Sequence, residues 1–317
     1  MPSNTAAQRL PVVAGVIRDG VGRVLLAQRP PRHQHAGLWE FPGGKREPEE
    51  TPEAALRREL EEELGIQAGK LNALIRVPFD YPQRAIELDA YELESFSGEP
   101  VAREHAALRW WLPEDLPLDQ LPEADRPIAA ALRLPEFMAI TPATPIDSAG
   151  LLAGVQRLAA SGFQLIQLRC PEWPPARQRA LAAELLGERP ELARRLLLNA
   201  DIVGAEQLGC GLHLRSNQLQ ALSGRPLAAK QWLSASCHNA DDLQRAARLG
   251  VNAVVLGPVR HTATHPGQAG MGWTEFAELR ACSSLPVYAI GGLQASDLGM
   301  ARRHGAQGIA AIRAFWS

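Results

Sequence analysis

No stretch of this 317-residue chain approaches eighteen uncharged apolar residues, so a membrane-spanning helix is not expected. The opening residues, MPSNTAAQRL, lack the apolar run of a secretion signal. Cysteine is scarce: Cys170, Cys210, Cys237 and Cys282 stand alone, and no two have the C-x-x-C spacing of a zinc or redox site. That leaves neither a disulfide framework nor a thiolate metal cage. The four are expected to be reduced, buried thiols in a cytoplasmic protein. Motifs that bind DNA or RNA are missing too, so no direct nucleic-acid contact is expected. What is present is the composition of a globular protein with a core, 46% hydrophobic and 21% charged.

The charge is divided unevenly. Residues 1–134 carry 16 Lys and Arg against 22 Asp and Glu, whereas residues 135–317 carry 17 against 13. Between the halves lies LPEDLPLDQLPEADRPIAAALRLPE, with prolines at 113, 117, 122, 127 and 135, a density that breaks long regular elements. We expect two domains, 1–134 and 135–317. In the first, β-rich runs at 12–17, 23–28, 73–79, 86–95 and 107–112 are interrupted by a clear helix at about 51–64 and a second at about 125–133, a mixed α+β pattern. In the second, eight short apolar runs, beginning at 137, 163, 196, 211, 232, 253, 287 and 308, alternate with Ala/Leu/Arg-rich helical stretches. Eight strands in about 180 residues fit an α/β (β/α)8 barrel, a TIM barrel, better than an open doubly wound sheet.

The stretch GGKREPEETPEAALRRELEEELGI (43–66) holds eight carboxylates, which repel one another at helical spacing. Thr51 suits an N-cap, Pro52 the first helical position, and Gly65 a left-handed stop. Leu56, Leu60 and Leu64 recur every fourth residue as an apolar stripe. Glu59, Glu62 and Glu63 stand at i, i+3 and i+4 on another face. Taken alone, that face is either a solvated charged surface or a seat for a hard divalent cation, which takes oxygen ligands alongside substrate phosphates. The Gly43–Gly44 bend before the helix favours the cation, because backbone without a Cβ can come close to phosphate and metal.

Gly44, Glu50 and the run Arg58-Glu59-Leu60-Glu61-Glu62-Glu63-Leu64-Gly65-Ile66 together fill the fixed positions of the Nudix box over 23 residues. The chain resembles the MutT branch of that family across most of 10–133, with LWEFPGGK and SGEPVARE as further likenesses. The resemblance implies a Nudix fold and an Mg2+-dependent pyrophosphohydrolase, with Mn2+ as a substitute ion. Its implied reaction takes 8-oxo-dGTP to 8-oxo-dGMP and diphosphate, which cleanses the nucleotide pool. By the same resemblance Glu59, Glu62 and Glu63 bind the metal near the Gly43 carbonyl, Arg58 orients the cluster by pairing with a glutamate, and Glu50 supports it. Glu104 falls where some members carry a further ligand or base, so Glu59 and Glu104 are the candidate general bases. Arg29 and Phe41 fall where the branch contacts nucleotide. Its base-reading asparagine is replaced by Asp125, which when ionised accepts hydrogen bonds but cannot donate them.

LIQLR (165–169), LLLNA (196–200), GLHL (211–214), SASCH (234–238), VVLGPVRHTATH (254–265) and AIGGL (289–293) make the second half similar to the thiamine-phosphate synthase and thiazole tautomerase family. This resemblance implies a phosphorylated ligand in the barrel, with Gly291 and Gly292 offering backbone N–H groups. It also implies an acid and a lysine after Arg169, where Cys170-Pro171 stand. Ala200 replaces an expected metal-binding aspartate, Asn217 and Gln218 occupy the place of a second acid, and His265 that of a lysine. Without those acids magnesium has no seat, and synthase activity is not expected of this half. Two alternatives are a Nudix half acting on thiamine-related diphosphates and a barrel that senses a phosphorylated compound. His261 and His265 have H-x3-H spacing but no third ligand, and with His33 and His35 they read as loop residues.

Overall fold

The computed structural model describes residues 9–31, 36–142, 147–262 and 269–316; His33, His35 and His265 lie outside the described residues. The chain divides into two compact units, Met1–Arg133 and Leu134–Ser317.

The first unit runs β1 (Leu10–Val16), β2 (Val24–Gln28), β3 (Trp39–Glu40), α1 (Pro52–Leu64), β4 (Gln67–Ala68), β5 (Leu71–Tyr81), β6 (Arg84–Leu93), β7 (Phe96–Ser97), β8 (Ala107–Trp111) and α2 (Arg126–Arg133). In one sheet β6 is central, parallel to β1 and antiparallel to β5. In the other β2 is central, with β3 and β8 antiparallel on either side. Short β4 and β7 pair with each other. Helix α1 begins where the Thr51 side chain accepts a hydrogen bond from the Ala54 N–H and ends at Gly65, whose φ of 70° only glycine adopts without strain. Its leucine stripe, Leu56, Leu60 and Leu64, is fully buried against Val13, Ile17 and Leu25. Burying one such side chain contributes about 1.5–3 kcal/mol, more than enough to offset the charge repulsion on the helix's other face.

The second unit is a closed barrel of eight parallel strands. They are β9 (Phe137–Ile140), β10 (Ile166–Leu168), β11 (Leu196–Asn199), β12 (Gly211–Leu214), β13 (Leu233–Cys237), β14 (Ala253–Leu256), β15 (Val287–Ile290) and β16 (Gly308–Ala311), with β16 pairing back onto β9. Helices α3 (Ser148–Ala160), α4 (Pro175–Glu188), α5 (Ile202–Leu208), α6 (Ser216–Ala221), α7 (Ala240–Leu249), α8 (Gly272–Ala281) and α9 (Leu298–Arg303) intervene. Each strand coincides with one of the apolar runs, and closure rules out the open sheet. A cluster including Met138, Ile140, Leu197, Val255 and Tyr288 forms one core, and the helices pack Leu151, Leu181, Leu243 and Phe276 into another. Gly308 allows the closing contact, since a Cβ there would fall 1.9 Å from the Glu136 carbonyl oxygen.

All four cysteines are free thiols, but only three are buried. Cys282 is exposed, contrary to expectation, because it follows the last turn of α8 instead of lying within a strand or an apolar helix face. Among the described residues no helix is long and apolar enough to cross a membrane.

Candidate active site

The Gly-Gly bend is stitched to β1 by backbone hydrogen bonds, from Val13 N–H to the Gly44 carbonyl and from Gly15 N–H to the Pro42 carbonyl, both 2.8 Å. This lays the bend along α1. Gly43 has φ 143°, and a Cβ on it would meet the Val13 carbonyl oxygen at 2.3 Å. Its N–H donates to Glu63 Oε2 at 3.0 Å. Gly44 is equally constrained from the other side, since a Cβ there would lie 2.4 Å from Glu59 Oε2. The two glycines therefore let backbone sit directly on two of the helix carboxylates.

Arg58 organises the rest. Its guanidinium donates twice to Glu50 (2.9 and 3.0 Å), to Glu59 Oε1 (2.9 Å), to Glu62 Oε2 (3.2 Å) and to the Lys45 carbonyl (3.1 Å). The bidentate bond from Arg58, with help from the Glu47 N–H, holds the Glu50 carboxyl down at about 2. Glu59 and Glu63 behave oppositely. Burial pushes the Glu59 carboxyl up despite Arg58, and burial together with the neighbouring Glu59 and Glu40 pushes Glu63 up to about 7. Glu62 remains half-exposed. Among the described residues no three His, Cys, Asp or Glu side chains close to metal-ligand spacing. Glu59 and Glu62 turn to Arg58, and Glu63 turns to Gly43. The donors are nevertheless the hard oxygens that Mg2+ takes, and two of them carry a charge that burial disfavours unless a cation shares it.

Beside the helix lies a cavity of about 250 Å3, lined among others by Gly43, Gly44, Glu63, Glu104, Arg29 and Asp125. Glu104 thus faces the same space as Glu63, whereas Glu59 and Glu62 do not line it. At the far end Phe41 donates its N–H to Asp125 Oδ2 at 3.1 Å, and Arg29 lies 3.4 Å from Glu40. Burial, then the charge of Glu40, pushes the Asp125 carboxyl up to about 7, against the Phe41 N–H and Arg29. Sequence reasoning missed His105, whose side chain is 5% exposed and lies 3.7 Å from Glu40 and 3.8 Å from Glu63. Burial opposes its protonation, but the Glu40 and Glu63 carboxylates outweigh burial and hold it above the ordinary imidazole value. Its neighbour Glu104 was the only local signal.

Asp125 makes a testable stability difference. Its folded value of about 7 lies above the ordinary 3.8, so its contribution is full below 3.8 and is lost as pH rises through about 7. Asparagine cannot titrate and still accepts from Phe41. The stability of Asp125→Asn relative to wild type is expected to climb between pH 4 and pH 8, by up to about 4 kcal/mol. Urea unfolding at the two ends of that range measures it, and parallel curves would refute it.

The first unit thus brings an arginine-bound set of carboxylates on one helix up to a cavity that Glu63 and Glu104 line. A family model described as NUDIX domain matches residues 8–132, and one described as Thiamine monophosphate synthase matches residues 137–315. The chain is 44% identical over 137 residues to the CTP pyrophosphohydrolase of Escherichia coli, covering 43% of this chain and 96% of that protein. It is 41% identical over 114 residues to the 8-oxo-dGTP diphosphatase of Haemophilus influenzae, covering 36% of this chain and 84% of that one. Its second half is 36% identical over 173 residues to the thiamine-phosphate synthase of Azorhizobium caulinodans, covering 52% of this chain and 79% of that protein. The chain belongs to the Nudix hydrolases through its first unit and to the thiamine monophosphate synthase family through its second.

Proposed function

We propose that the first unit hydrolyses nucleoside triphosphates to monophosphate and diphosphate with Mg2+, and that 8-oxo-dGTP is its leading substrate. Asp125 carries the substrate reading. One of its oxygens is committed to the Phe41 N–H, which leaves the other for a base inside the cavity. Above about pH 7, where this carboxyl is ionised, the free oxygen accepts hydrogen bonds and so favours a base edge that donates. Oxidation turns the N7 of guanine from an acceptor into an N–H donor, and cytosine presents an amino donor, while unmodified guanine offers only acceptors on that edge. CTP is therefore the second reading, favoured also by the pyrophosphohydrolase relative.

Glu59, Glu62, Glu63 and the Gly43 carbonyl are the proposed seat of the cation, which when bound would neutralise phosphate charge and help expel the leaving group. Arg58 keeps Glu59 and Glu62 side by side, and Gly43 fixes Glu63. Of the two candidate bases, Glu104 lines the cavity whereas Glu59 is held by Arg58, so Glu104 is favoured to take the proton of the attacking water. The barrel is proposed to have lost synthase chemistry and to bind a phosphorylated small molecule, with Gly291 and Gly292 in its cavity wall.

A substrate panel of 8-oxo-dGTP, CTP, dGTP and thiamine diphosphate tests the reading. Turnover of 8-oxo-dGTP should exceed that of dGTP by about 10²-fold in kcat/KM, the upper end of what one buried acceptor left without its donor costs, about 1–3 kcal/mol. Thiamine diphosphate as the preferred substrate would replace this reading with a thiamine-pathway hydrolase.

A further inference from the structure

The barrel contains a second cavity, of about 770 Å3, whose charge is lopsided. Arg169, Arg215 and Arg313 line it, and among the described residues no Asp or Glu does. Nearby carboxylates are engaged elsewhere: Asp201 is bound twice by Arg179, and Asp297 twice by Arg260. Arg169 Nη1 is buried with no hydrogen-bond partner, and burial and Arg215 together depress its basicity. His213 does not add to the charge. It is fully buried between Ser234 Oγ and Ser236 Oγ, 2.8 Å from each, and burial, then Arg169, pushes it down to about 3. A second polar atom is also stranded. Gln167 is 2% exposed and gives its Nε2 to Asn199 Oδ1, while its Oε1 has no partner at the cavity wall.

The positions where the family's metal acids would stand do not serve the cavity. Ala200, Asn217 and Gln218 are absent from its lining, and Gln218 spends its amide on the Ala200 carbonyl at 2.9 Å. The donor set therefore does not fit a divalent cation, which needs oxygen ligands. Arg169, by contrast, has a buried guanidinium nitrogen with no partner, a charge that is costly unless an anion joins it, and exposed Arg215 and Arg313 add positive charge to the same wall.

We propose that the barrel binds a phosphate or diphosphate ester without a divalent cation, with Arg215 and Arg169 neutralising the charge a metal would otherwise meet. Gln167 Oε1 is placed to accept an N–H from the body of that ligand. The inference rests on the phosphate reading of the barrel given above and adds that the site is metal-independent.

Inorganic diphosphate titrated calorimetrically into the full chain, in EDTA and then in excess Mg2+, tests it. Binding should be present in EDTA and weaken by about tenfold or more in both Arg215→Gln and Arg169→Gln, the effect of losing a charge-assisted hydrogen bond. Arg215 is exposed, so its replacement leaves the barrel folded, and Arg215→Lys should recover part of the affinity. Unchanged affinity in Arg215→Gln would overturn the assignment of the arginines. Binding that appears only with Mg2+ would overturn metal independence alone, whereas no barrel-dependent binding under either condition would remove the phosphate reading as well.

Discussion

Replacing Glu63 with glutamine is expected to lower kcat for nucleoside triphosphate hydrolysis by about 10³-fold, the scale of losing several kcal/mol of charge stabilisation around a metal. The substitution keeps the shape and leaves an amide oxygen to accept from the Gly43 N–H, so the melting temperature should not fall. What disappears is one negative charge in a pocket where backbone, helix and cavity meet. Steady-state rates at saturating Mg2+ measure the effect. Wild-type turnover would mean that the carboxylate face is only a charged surface.

Arg58→Gln is expected to lose both activity and stability. Four carboxyl or carbonyl groups depend on that guanidinium: Glu50, Glu59, Glu62 and the Lys45 carbonyl. Without it Glu59 and Glu62, one helical turn apart, become mutually repelling acids with no internal cation, and the loop bearing Lys45 loses its tie to α1. The guanidinium side chain is 26% exposed, so solvent screens part of the loss, and a destabilisation of about 2 kcal/mol is the reasonable scale. Hydrolysis should fall by about 10²-fold, as when an outer partner that orients metal ligands is removed. A melting curve and an Mg2+ titration on the same sample check both. Normal stability with normal apparent Mg2+ affinity would show that Arg58 is not the organiser.

Helix α1 was legible in the sequence because everything that makes it is local: a threonine cap, a proline in the first turn, a glycine stop and leucines four apart. The barrel strands were legible for a related reason, since each is a short buried run bounded by helical stretches. The two-residue strands β3, β4 and β7 were not, because so short a pairing is supplied by the partner strand and leaves no period. His105 was missed because its place between Glu40 and Glu63 depends on β3, α1 and the approach to β8 coming together. Asp125 was singled out by position, but its burial, and with it a carboxyl near neutrality, belongs to the folded cavity. The carboxylates of Glu59, Glu62 and Glu63 share a helix face as the spacing required. Glu59 and Glu62 turn to Arg58 on the same helix, whereas Glu63 turns to Gly43 in the bend before it, a choice that the helical spacing alone does not set.

The pairing of β16 with β9 has a consequence for how the chain is made. Each barrel strand meets the next one soon after it leaves the ribosome, but the outer edge of β9 must wait for β16, synthesised more than 160 residues later. Contacts this distant in sequence form slowly, because loop-closure entropy is lost before they form. The first unit is complete by Arg133 and can fold while the barrel is still emerging. During that interval β9 and the newest strand present open edges, whose unpaired N–H and C=O groups invite pairing with another chain. A product released before Gly308 would keep those edges permanently, so truncation at this end should yield aggregation instead of a smaller soluble barrel.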